Sequence, residues 1–279
     1  MKKALVNRII PFSNVDGPGN RTSIFFQGCT FHCLFCHNPE TMTCCKSCGI
    51  CLTHCPVKAL RKKDGKIVWD SEICVQCDTC LKVCPYFSSP RITWMTVEEV
   101  LNQIQRAMPY IDGITTSGGD CTLYPSFLKE LFTAVKQQGK TCLIDANGAY
   151  DFASDPALMD VCDGVMLDVK AVEPTWHREL VSFDVEPVLR NLDYLLAAGK
   201  LQEVRTVILP NRDRENSETV QFVSQRIGGR CPYKIIRYRP FGVRPEYRQI
   251  MGEEETDPVY AESFVLLARE KGASAAFVV

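Results

Sequence analysis

No apolar run in this 279-residue chain approaches the ~18–20 residues needed to cross a bilayer as a helix. A surplus of charge is missing too. Thirty-two basic and 33 acidic side chains leave a net charge of −1 and a pI of about 6.4. That balance gives nucleic acid and anionic membranes no electrostatic hold, and neither is expected as a partner. Residues 1–8 are too short and too polar for a secretory leader, so the expected compartment is the cytoplasm. Histidine is sparse, with four in all, and neither His54 nor His177 shows a partner pattern. Both are read as solvated or structural.

Cysteine is the opposite case, with 16. Disulfides are rare in a cytosolic chain, and spaced cysteines there signal metal or redox work. Three spaced groups stand out: Cys29/Cys33/Cys36, Cys45/Cys48/Cys51/Cys55 and Cys74/Cys77/Cys80/Cys84. Cys44, Cys121, Cys142, Cys162 and Cys231 read as buried thiols. Cys44 adjoins a ligand run, but Cys45 keeps the better register. The first group has the spacing C-x3-C-x2-C and no fourth cysteine in its loop. Three thiolates hold three irons of a [4Fe–4S] cube and leave one open, and an open position separates catalytic from structural metal sites. A zinc knuckle completed by His32 or His37 is the weaker reading, because zinc ligands come as two spaced pairs.

The other two groups form an internal repeat. Residues 45–56 and 74–85 each read C-x2-C-x2-C-x3-C-P, the bacterial ferredoxin run, in which the fourth cysteine serves the other cluster. That rule assigns Cys45, Cys48, Cys51 and Cys84 to one [4Fe–4S] cluster and Cys74, Cys77, Cys80 and Cys55 to a second. Two zinc sites fit the C-x3-C-P endings less well. A fold of this size depends on its clusters more than on an apolar core.

Around this insert, strand and helix signals alternate. Strands are expected at 23–28, 113–117, 141–145, 164–168, 203–210, 233–238 and 275–279, with a short one at 66–70 inside the insert. Helices are expected from a capping box at Thr96 and Glu99 to about 108, at 125–138, at 185–198 and around 256–270. Alternation of this kind predicts βαβ units on a parallel sheet. A complete eightfold barrel takes about 250 residues, more than remain outside the insert. The expected fold is therefore α/β: a partial (β/α)6 TIM-like barrel over residues 1–39 and 93–279, with a ferredoxin-like two-[4Fe–4S] insert at 40–92.

Polar motifs recur where the strands end. Cys29 follows the first, Ser117-Gly118-Gly119-Asp120 the second, Asp145-Ala146-Asn147-Gly148 the third and Asp168-Val169-Lys170 the fourth. Sites in parallel α/β barrels form at such carboxyl ends. Taken with Asp16-Gly17-Pro18-Gly19, Arg21, residues 25–29 and residues 36–39, this pattern resembles the radical S-adenosylmethionine (SAM) activating enzymes of glycyl radical enzymes. The double-ferredoxin insert and residues 166–170 look most like their YjjW-type branch.

The resemblance implies a set of roles. Cys29, Cys33 and Cys36 would hold the catalytic cluster, whose free iron takes SAM. Phe35 would lie near the adenine, with His37 beside it. Ser117, Gly118 and Gly119 would receive the methionine amine, and Asp120 stands where the family usually has Glu. Asp145, Met166 and Asp168 match a region holding a monovalent cation and the ribose. Lys170 would meet the SAM carboxylate or the substrate peptide. Arg205 sits on an otherwise apolar strand and needs an anionic partner; the SAM carboxylate is the expected one. Arg239 occupies a position that is often His, and the Arg237, Arg239, Arg244 and Arg248 series reads as a solvated face. The implied reaction is reductive cleavage of SAM followed by abstraction of a glycine α-hydrogen from a partner glycyl radical enzyme, with reduced flavodoxin or ferredoxin as donor. The alternatives are a radical SAM enzyme acting on a small molecule and a non-catalytic ferredoxin-type carrier.

Overall fold

The computed structural model describes residues 2–279. Its strands, in chain order, are β1 (Lys3–Ser13), β2 (Arg21–Phe26), β3 (Leu60–Lys63), β4 (Lys66–Trp69), β5 (Thr93–Thr96), β6 (Gly113–Gly118), β7 (Thr141–Ala146), β8 (Gly164–Asp168), β9 (Leu201–Ile208), β10 (Tyr233–Arg237) and β11 (Ala276–Val278). Nine of them form one sheet in the order β11-β10-β9-β8-β7-β6-β2-β1-β5. From β2 through β11 every neighbouring pair is parallel. The two end strands do not pair, so the sheet is open.

Burial explains this layout. All six residues of β2 are buried, as parallel strands covered on both faces require. Helices cover the outer face. Pro125–Lys136 turns Phe127, Leu128, Leu131, Phe132 and Val135 inward at helical spacing. Proline stands in the first turn of that helix and of Pro156–Val161, Pro174–Val181 and Pro258–Glu270. Its missing N–H has no partner to lose there.

Several elements differ from expectation. The sheet gains two antiparallel members, β1 and β5. Helices at Pro174–Val181, Asp213–Ile227 and Pro245–Met251 join those expected. The capping box is present, with Thr96 and Glu99 each accepting from the other's backbone N–H. Its helix ends at Ile104 rather than near 108, and Pro109 lies in the short 3-10 turn Met108–Tyr110 that follows.

Residues 16–21 close the end of the barrel remote from the cysteines. Arg21 is 1% exposed, and its nitrogens reach Thr115 Oγ1, Pro18 O, Thr141 Oγ1, Ile114 O and Thr141 O. Asp16 accepts from Ser13 and Ser23 hydroxyls at 2.6 Å. This stretch is structural: it ties β2 to β6 and β7 at their amino ends.

The insert contains the β3–β4 hairpin, two short helices (Ile50–His54 and Thr79–Lys82) and a buried core of only Cys51, Leu60 and Cys80. Among the described residues, no helix is long and apolar enough to cross a membrane.

Candidate active site and cysteine cavities

The cysteine loop after β2 is held shut at its base. Buried Gln27 donates from Nε2 to Glu40 O and Thr43 O, both at 2.7 Å. Backbone bonds from Gly28 N to Thr41 O and Cys29 N to Met42 O complete the closure. The loop's far side rests on the helix Pro174–Val181, through His32 N to Val181 O and Leu34 N to Leu180 O. Phe31 is buried against Phe183, with ring centroids 4.9 Å apart.

Beneath this loop, at the carboxyl ends of β2 and β6–β10, lies a cavity of about 290 Å³. Cys29, Cys33 and Cys36 all line it. So do Phe35, His37, Ser117, Gly118, Gly119, Asp145, Asp168, Lys170 and Arg205. Burial pushes the Cys29 thiol up to about 12, and raises Cys33 and Cys36 as well. Lys170 adds positive charge near Cys33 and Cys36. Burial works against its ammonium, but the Asp168 carboxylate at 2.8 Å outweighs it and holds Lys170 above the ordinary lysine value. The same ammonium lies 5.3 Å from the Phe35 ring centroid.

Ser117 donates to Asp145 at 3.0 Å. The two glycines after it serve the backbone first. A Cβ on Gly118, whose φ is +112°, would fall 2.3 Å from Phe26 N, and one on Gly119 would fall 2.1 Å from Gly28 O. Adjacent loops pass too closely there for any side chain.

Two expected site residues lie outside the cavity lining. Asp120 does not line the cavity. It is buried, capping the 3-10 turn at Thr122 N and accepting from Thr30 Oγ1 at 2.6 Å. Arg239 does not line it either: its side chain is exposed, and its carbonyl accepts from His37 Nε2 at 2.9 Å. Arg205 does line the cavity, and it has anionic partners within the protein as well, Asp145 at 3.1 Å and Glu203 at 2.5 Å. Burial opposes its charge, but Asp145, Asp168 and Glu203 outweigh burial and raise it. In the region expected to take a monovalent cation, Arg205 reaches Asp145 Oδ1 and Met166 Sδ, and Lys170 reaches Asp168.

Asn147 was missed as a site residue. It lines the cavity, donates to Thr30 Oγ1 at 3.0 Å and lies 3.7 Å from Cys29 Sγ. Its place in the Asp145–Gly148 motif was the available signal. Of the cysteines outside the groups, Cys121, Cys142, Cys162 and Cys231 are buried as expected, whereas Cys44 is exposed. His177 is fully buried and bonded to Phe183 O, a structural role.

Two further cavities lie in the insert. Cys45, Cys48, Cys51 and Cys84 line one, with Cys80 in its wall. Cys55, Cys74, Cys77 and Cys80 line the other. The two cysteine runs share a backbone course. Ser47 and Gln76 both have φ of +54°, and their N–H groups lie 3.4 Å from Cys45 Sγ and Cys74 Sγ. Gly49 and Asp78 are left-handed in both copies. Among the described residues, no three His, Cys, Asp or Glu side chains close on a point fit for one metal ion.

Residues 23–223 match the family described as the radical SAM superfamily. The chain belongs to that superfamily. A candidate glycyl-radical enzyme activating enzyme of Haemophilus influenzae is 31% identical over 266 residues, covering 86% of this chain and 84% of the relative. The indoleacetate decarboxylase activating enzyme of Tractidigestivibacter scatoligenes is 28% identical, covering 88% and 86%. Pyruvate formate-lyase 1-activating enzyme of Escherichia coli K12 is 26% identical, covering 89% and 93%. By these relatives the protein is an enzyme, a radical SAM oxidoreductase of the activating-enzyme kind. Among solved structures, Streptococcus suis SuiB bound to precursor peptide SuiA has a TM-score of 0.58 at 10% identity, over 91% of this chain and 47% of that one. QueE from Escherichia coli has a TM-score of 0.50 at 13% identity, over 89% and 88%. These two speak for the fold alone.

Proposed function

We propose that this enzyme cleaves SAM reductively and uses the resulting 5′-deoxyadenosyl radical to take an α-hydrogen from a glycine of a partner glycyl radical enzyme. The observation that carries the reading is the convergence on one cavity of the three thiols of the cysteine loop and the polar ends of β6, β7 and β8. A [4Fe–4S] cluster held by Cys29, Cys33 and Cys36 supplies one electron and an open iron for SAM. The chain's residues do the rest by placement. Ser117, Gly118 and Gly119 offer the backbone edge to the methionine amine. Lys170 and Arg205 face its carboxylate, and Phe35 borders the adenine. A monovalent cation has to compete with Lys170 and Arg205 for the carboxylates of Asp168 and Asp145. The cavity also shields a reactive carbon radical from water and oxygen. The C5′–S bond breaks to release methionine, and the hydrogen from glycine completes 5′-deoxyadenosine. Glycine has no side chain to bar the approach.

The insert is assigned two more [4Fe–4S] clusters, the feature of the YjjW-type branch. Support comes from the two four-cysteine hollows, the N–H groups turned toward Cys45 and Cys74, and a core too small to fold by burial alone. Reduced flavodoxin or ferredoxin is the proposed donor.

Anaerobically reconstituted enzyme with SAM and a strong reductant should form 5′-deoxyadenosine, and Cys36→Ala should form none. A glycyl EPR doublet on a partner polypeptide identifies the substrate class. Deoxyadenosine without that doublet points to a small molecule, and persistence of cleavage in Cys36→Ala defeats the assignment.

A further inference from the structure

Glu203 is an acidic residue inside the sheet that neither the cysteine loop nor the cavity lining accounts for. It is 9% exposed and lies two residues before Arg205 on β9, so both side chains point to the same face of the sheet. Its Oε1 accepts from Arg205 Nε at 2.5 Å and lies 3.1 Å from Lys234 Nζ. Lys234 stands directly opposite Arg205 in the β9–β10 register.

An arginine has five N–H donors in a rigid fork. Here Nε goes to Glu203, one Nη1 hydrogen to Asp145 at 3.1 Å and one Nη2 hydrogen to Met166 Sδ at 3.1 Å. With all three nitrogens fixed, the plane of the guanidinium is fixed. Two N–H groups remain on the two terminal nitrogens, and Arg205 lines the cavity. Asp145 alone would leave the fork free to turn about one contact.

We propose that Glu203, itself steadied by Lys234, is a positioning residue: it locks the Arg205 fork so that its spare N–H groups meet the carboxylate of SAM. This rests on the proposed function, since it presumes that SAM is the ligand of the cavity. Glu203 does not line the cavity, and its effect travels through Arg205.

The test is SAM affinity of the anaerobic holoenzyme by calorimetry, with iron content and melting temperature followed in parallel. Glu203→Gln keeps the shape and removes the charge. It should weaken SAM binding roughly tenfold, about the loss of one charge-assisted hydrogen bond, with iron content unchanged. In an Arg205→Lys background, which has no fork to lock, the same change should have little further effect. Lys234→Gln, the gentler variant, should weaken binding by a few-fold at most. Wild-type affinity in Glu203→Gln overturns the proposal, as does an equal loss with Lys at 205. A wild-type holoenzyme that binds no SAM overturns the proposed function instead, so the two failures are separable.

Discussion

Gly119 has room for a hydrogen and nothing larger. A methyl group there would press on Gly28 O at 2.1 Å and Thr41 O at 2.8 Å, both backbone atoms that cannot swing aside. Gly119→Ala should therefore force the cysteine loop away from β6. Iron bound after reconstitution should fall by about the four atoms of one cluster, with the insert's share retained; full iron content would show that the loop can yield. At this scale the sequence revealed residue types better than partners. Cys29, Asp145, Asp168 and Lys170 were legible because their chemistry recurs at successive strand ends. Asp120 and Arg239 were not, since a motif position does not say whether a side chain turns to a cavity or to a loop. Nor did the spacing reveal that Arg205 has Asp145 and Glu203, because a cross-strand contact depends on register.

Elements were most legible where one local rule acts alone. The Thr96–Glu99 box is read directly from four residues and is present with both its hydrogen bonds. Removing it should be felt: Thr96→Ala should lower stability by about 1 kcal/mol, read as a shifted midpoint in anaerobic urea titration. Strand β8 spans Gly164–Asp168 as its apolar run indicates, since both its faces are covered. Strand β1, which lies between β2 and the edge strand β5, was invisible for the opposite reason. Its central and later residues are half exposed, and bulges near Val6–Arg8 and Ile10–Ser13 break the alternation. The helix Asp213–Ile227 opens on a polar segment, DRENSET, and buries only a narrow stripe. Such a helix is stabilised by what it packs on, which a single-sequence pattern does not contain.

For the molecule as a whole, an α/β fold on a mostly parallel sheet was legible from βα alternation, and a cysteine-rich segment from the repeated C-x2-C-x2-C-x3-C-P run. The crossing of the repeats can be checked directly. Cys84 belongs to the second run but lines the cavity of the first. Cys84→Ala should thus lose the same iron and EPR signal as Cys51→Ala, and a different one from Cys77→Ala. A loss matching Cys77→Ala would show that each run serves its own cluster. The insert also touches the segment that follows β10: the Arg244 guanidinium lies 4.6 Å from the Phe87 ring and 3.9 Å from Met42 Sδ.

The insert leaves and rejoins the barrel through a narrow neck. Thr43 Oγ1 donates to Tyr86 O at 3.2 Å, and Ser89 N donates to Glu40 O at 3.2 Å. Its two ends therefore emerge side by side, and every barrel strand lies wholly outside it. Such a segment behaves as a cartridge. Cut between Thr43 and Tyr86, it can be lifted out with every strand of the large sheet and the carbonyls of residues 40–43 left in place.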